Sequence, residues 1–185
     1  MKYNRKHIRW RKWDYSSHGV YFITICTEKK QKYFGEIKES LIGIDLDKPS
    51  SYLNANPIAW ITFKFWKEIP KHYPFVQADC LVIMPDHLHG ILYLDSPPQI
   101  EWKPNAFGPQ RKNLPDIIRA YKGAITKWAN ENKHTFKWQR SYYDRVIRNE
   151  EEYRRIKSYI SENPYRWCRG SSCVVGHRVI NQSTT

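Results

Sequence analysis

Two histidines and a tyrosine offer the chemistry in this chain. The histidines stand in Met84-Pro85-Asp86-His87-Leu88-His89-Gly90-Ile91-Leu92. Apolar residues after the Pro85-Asp86 turn predict a strand from His87 to Leu94, and side chains alternate along a strand. His87 and His89 therefore share one face, and Leu88, Leu92 and Leu94 share the other. Two imidazoles on one face can chelate a divalent cation. The spacing alone is weak: with 7 histidines in 185 residues, H-x-H arises by chance in roughly one such sequence in four. A pair of exposed or hydrogen-bonded histidines is the plain alternative. The tyrosine lies in Tyr153-Arg154-Arg155-Ile156-Lys157-Ser158-Tyr159-Ile160-Ser161-Glu162-Asn163-Pro164. Tyr153, Ile156 and Ile160 make a helical packing stripe. Tyr159 and Asn163, at i and i+4, project from one face, as a nucleophile with an amide metal ligand one turn later would. The alternative is a core aromatic and a helix-end residue before proline.

The four cysteines fall at 26, 80, 168 and 173. Cys26 and Cys80 sit in apolar runs and read as buried thiols of a reducing compartment. Cys168 and Cys173, near His177, have metal-ligand chemistry, but C-x4-C without a second pair does not make a zinc motif.

The elements that must position these residues follow from periodicity. Residues 19–27 read as a strand and 33–37 as a short strand. Residues 40–55 are turn-rich and show no element. A helix is predicted over 57–71, with Ile58, Ile61, Phe65 and Trp66 on one side and Pro57 in its first turn. Strands follow at 80–84 and 87–94, then a proline-rich loop over 96–114. A helix over 115–130 buries Ile117, Ile118, Tyr121, Ile125 and Trp128. Residues 138–146 are extended and aromatic. Asn149 caps a last helix, with Glu150, Glu151 and Glu152 at the positive end of its dipole, and Pro164 stops it near Asn163. This order predicts an α+β domain, a ferredoxin-like antiparallel sheet with helices packed on it. We expect a basic arm over 1–17, one catalytic domain over 18–167 and a polar tail over 168–185.

Lys and Arg number 31 against 18 Asp and Glu, a net charge of +13. That balance points to a polyanion, nucleic acid first. Aromatics make up 15% of the chain and interleave with basic residues in 3–13 and 137–143, which suits single strands whose bases stack on rings. Mean hydropathy is −0.75, and the chain holds no apolar run near ~18 residues. The first residues lack the apolar core of a secretory signal. We expect no membrane partner and a cytoplasmic address.

MPDHLHGIL resembles the His-hydrophobic-His motif of the HUH single-strand DNA nucleases. Trp138 to Asn149, then Tyr159-Ile160 and Asn163-Pro164, resemble the C-terminal half of the REP-associated tyrosine transposases. These are relatives of the single-tyrosine insertion-sequence 200/605-type transposases. Tyr21 to Cys26 and Ile118 to Gly123 also fit, and the resemblance spans about residues 10 to 167. It implies a ferredoxin-like HUH fold and a nuclease and strand-transfer activity on single-stranded, hairpin-forming repeat DNA in a bacterial cell. His87 and His89 match the metal-binding pair and Tyr159 the nucleophile. Asn163 stands where relatives often carry Gln as a further ligand. The implied metal is Mg²⁺ or Mn²⁺, and the implied intermediate a covalent 5′-phosphotyrosine. Lys122, Arg140 and Arg148 are the cations we expect on DNA. Relatives act as monomers or homodimers. Two rival readings keep the charge but not the chemistry: a non-catalytic hairpin-binding descendant, and an RNA-binding module.

Overall fold

The computed structural model describes residues 18–40, 50–95 and 113–170. The expected basic arm, most of the proline-rich loop, and Cys173 with His177 lie outside the described residues. The chain runs β1 (Gly19–Cys26), β2 (Gly35–Ser40), β3 (Ser50–Ala55), α1 (Pro57–His72), β4 (Val76–Met84), β5 (His87–Leu94), α2 (Leu114–Glu131), β6 (Tyr143–Ile147) and α3 (Glu150–Gly170).

Four strands form one antiparallel sheet in the order β4-β5-β1-β6. With β2 and β3 set aside, the order in the chain is strand, helix, strand, strand, helix, strand. The expected ferredoxin-like α+β fold is therefore present. The alternation of β5 is the organising fact. Leu88, Leu92 and Leu94 join Tyr21, Ile23 and Ile25 of β1 in a core closed by Trp66 and Ile69 of α1 and by Ile117, Ile118, Tyr121 and Ile125 of α2. Ile91 faces the other way and packs with Ile147, Ile156 and Ile160 under α3. The sheet thus carries two helices on one side and the tyrosine-bearing helix on the other. Gly90 lets α1 come close: a Cβ there would run into the Trp66 ring.

Each helix begins on an asparagine. Asn56, Asn113 and Asn149 accept hydrogen bonds from the Ala59, Asp116 and Glu152 amides, satisfying donors that a helix N-terminus leaves open. Glu152 reaches back to accept the Arg148 amide at 3.0 Å and pairs with Arg145.

Five expectations need correction. Ser50–Ala55 is a strand, paired antiparallel with β2. The hairpin escaped notice because its residues are mostly polar, with Ile37 alone buried among those with described burial. β4 begins at Val76, and its register shifts between Ala78 and Leu81, an irregularity that breaks the period-two pattern. Cys80 there is only half-buried. The extended run near 138–146 narrows to β6, and Trp138 makes only an isolated bridge to Thr27. Finally, α3 passes through Pro164 to Gly170. Proline removes one helical hydrogen bond, yet the turn beyond it is held, because Cys168 is buried with Met84 and Ile37, with Trp167 packed alongside.

Candidate active site

The register of β1 against β5 sets Thr24 opposite His89 and Cys26 opposite His87. Both imidazoles are buried on the face that α3 covers, with ring centres 4.7 Å apart. Each has its Nδ1 tied to a neighbour. His89 Nδ1 lies 2.8 Å from the Thr24 hydroxyl, and His87 Nδ1 lies 2.5 Å from Asp86 Oδ1. Phe22 stacks on His89 at 5.3 Å. Burial, with His87 and Lys30 nearby, pushes the His89 imidazole down to about 3, so it is neutral at neutral pH, the form that can donate a lone pair to a metal.

Helix α3 delivers the remaining parts. The Tyr159 hydroxyl stands 3.4 Å from His89 Nε2, and its residue remains 37% exposed. Two turns on, Trp167 packs against His87 at 5.9 Å. Asn163 lies between them on the same helix and is buried, at 7% exposure. The structure therefore brings His87, His89 and Tyr159 together from strand and helix, with Asn163 one turn beyond Tyr159 on α3. The four could place a nucleophile beside a cation held by two imidazoles and an amide. Among the described residues no cluster of three or more His, Cys, Asp and Glu could hold a metal. Further ligands would be oxygens of substrate or water.

No family profile matches the chain. It is 34% identical over 176 residues to an uncharacterized protein of Haemophilus influenzae, covering 89% of this chain and 91% of that one. It is 24% identical over 162 residues to a second H. influenzae protein, named "Putative REP-associated tyrosine transposase", covering 83% of this chain and 74% of that one. The chain is similar to the REP-associated tyrosine transposases. Its fold is that of a solved REP-associated tyrosine transposase bound to a REP hairpin: TM-score 0.55, 17% identity, covering 86% of this chain and 73% of that one.

The cations expected on DNA divide in this structure. Arg140 is exposed and near the histidine end of the sheet, since the Gln139 amide donates to the Cys26 carbonyl. Arg148 follows β6 at the opposite end, where Ile147 pairs with Val20. Lys122 is occupied: it donates to the Gln139 carbonyl at 2.7 Å and the Arg140 carbonyl at 3.3 Å. It pins the 138–140 segment onto α2. The sequence reading missed Thr24, Asp86, Trp167, Lys30 and Arg166. Lys30 ends a turn in which Lys29 and Lys30 both take left-handed φ, 51° and 58°. The Thr27 hydroxyl steadies that turn, sharing its one proton between the Gln31 and Asp86 carbonyls at 2.7 and 2.9 Å, and Lys30 Nζ comes within 3.9 Å of Asp86. The Arg166 guanidinium lies 5.8 Å from the Tyr159 ring centre. Only the Pro-Asp-His run hinted at any of these.

Among the described residues no helix is long and apolar enough to cross a membrane.

Proposed function

We propose that the protein is a metal-dependent single-stranded DNA endonuclease and strand transferase that acts on hairpin-forming repeat DNA through a covalent 5′-phosphotyrosine. The observation that carries this reading is the Tyr159 hydroxyl, 3.4 Å from an imidazole of the His87–His89 pair and open to solvent on its outer side. A solved REP-associated tyrosine transposase of the same fold holds a REP hairpin, and the charge of +13 suits the same class of partner.

His87, His89 and Asn163 would hold Mg²⁺ or Mn²⁺. When bound, the ion polarises the scissile phosphate and offsets charge on its oxygens. The chain's own residues do the rest. A tyrosine hydroxyl titrates near 10, so Tyr159 enters as the phenol. Its oxygen forms a bond to phosphorus in line with the 3′ oxygen, and the P–O3′ bond breaks. The phenolic proton leaves to water at the exposed edge, and the departing 3′ oxygen takes up a proton. The phosphotyrosine ester keeps the bond energy, so a later 3′-OH can attack it and rejoin strands. Exposed Arg140 would contact flanking phosphates, and Arg166, paired with Glu162 at 2.7 Å, would do so by exchanging that partner. Nucleophile and histidines belong to one chain, so a monomer contains a whole site.

The test is incubation with labelled single-stranded hairpin DNA from repeats flanking the gene, with Mn²⁺ or Mg²⁺, on a denaturing protein gel. A label-bearing band in the wild type, absent from Tyr159→Phe that still binds the hairpin, is expected. Tight hairpin binding without any adduct would replace this reading by that of a non-catalytic hairpin-binding protein. Preference for RNA hairpins would remove both.

A further inference from the structure

Resting on the reading of His87 and His89 as metal ligands, we infer that Asp86 is a positioning residue that locks His87 in the tautomer a cation requires. The argument is the unequal way the two imidazoles are tied. An imidazole binds a metal through one nitrogen only while the other carries the proton. At His89 the partner is a hydroxyl, which can donate or accept. Thr24 thus permits either tautomer. At His87 the partner is a carboxylate, which at neutral pH only accepts. The 2.5 Å contact therefore places the proton on Nδ1 and leaves Nε2 as a free lone pair.

The surroundings fit that task. Asp86 is itself buried, at 8% exposure, in the two-residue turn between β4 and β5. Its carbonyl accepts from the Thr27 amide and hydroxyl, each at 2.9 Å, and the neighbouring Pro85 carbonyl accepts from the Phe34 amide. The turn is thus held by backbone bonds that do not involve the carboxylate, which is free to serve His87. Lys30 approaches the same carboxylate oxygen at 3.9 Å. Trp167 packs on the His87 ring and limits its rotation.

Because those backbone bonds survive truncation, Asp86→Ala is expected to keep the wild-type fold. Two readouts then apply. In metal-free protein, ¹⁵N-labelled histidine spectra should show His87 as the Nδ1–H tautomer in the wild type. In Asp86→Ala the Nε2–H form should appear, while His89 is unchanged. By calorimetry, Asp86→Ala should bind Mn²⁺ about 10–100-fold more weakly than wild type, and Asp86→Asn, which keeps an acceptor oxygen, should recover part of the loss. An Nε2–H tautomer at His87 in the wild type, or equal Mn²⁺ affinity in wild type and Asp86→Ala, would overturn the inference. Failure of the wild type to bind Mn²⁺ despite the Nδ1–H tautomer would instead overturn the metal reading, and with it the purpose assigned to Asp86.

Discussion

Glu152 shows how one side chain sets where α3 begins. Its carboxylate accepts the Arg148 amide and sits beside Arg145. The amide hydrogen bond first, and then the Arg145 charge, hold it below its ordinary value of 4.5. A carboxyl group whose folded value is depressed adds stability above its unfolded value, and that stability is lost as pH falls through the folded one. Glu152→Gln should therefore melt lower than wild type at pH 7, by about 2–4 °C if the loss is ~1 kcal/mol. The gap should narrow as pH falls below 4.5 and through the depressed folded value. Melting curves across pH check this, and an equal gap at pH 3 and pH 7 would count against it. At the same scale, His87→Ala should abolish Mn²⁺-dependent adduct formation, measured on the same gel as Tyr159→Phe. The histidines could be placed on one face from sequence because a period of two needs only neighbours. Thr24 and Asp86 could not be read as their partners. The first pairing spans 65 positions, and the second depends on a turn geometry that residue types do not state.

Elements place the residues, and here packing outruns pattern. Helices α1 and α2 were legible because each buries a stripe at helical spacing. The β2–β3 hairpin was not, since its strands are largely polar and Ile37 and Leu53 carry its contacts with the rest. Pro164 misled for a physical reason: a proline usually ends a helix, but the burial of Cys168 beyond it rewards one further turn. The approach of α1 to β5 gives a direct test. With no room for a methyl group between Gly90 and Trp66, Gly90→Ala should cost about 1–3 kcal/mol. Adding Trp66→Leu should return part of that, as chemical denaturation of both variants would show. Additive losses would mean that the two do not meet.

At the scale of the whole molecule, charge decides encounter and the site decides outcome. Affinity for single-stranded DNA should fall steeply with salt, with a slope of about −0.7 in log–log terms for each phosphate contacted. Tyr159→Phe should show the same slope as the wild type, whereas Arg140→Ala should flatten it by about one contact; titrations at several salt concentrations measure both. The excess of basic charge was legible in composition. Which cations face outward was not, because Lys122 spends its charge inside the fold. The distance between site halves along the chain has a further consequence, for synthesis. His89 and Tyr159 are 70 positions apart, and at about 5–20 residues per second several seconds separate their emergence from a ribosome. Until α3 arrives, the face of Ile91, Phe22 and Val82 stays wet and His89 lacks its tyrosine neighbour. The last large element to be made both covers that face and completes the candidate site, so under the proposed function an unfinished chain would lack its nucleophile.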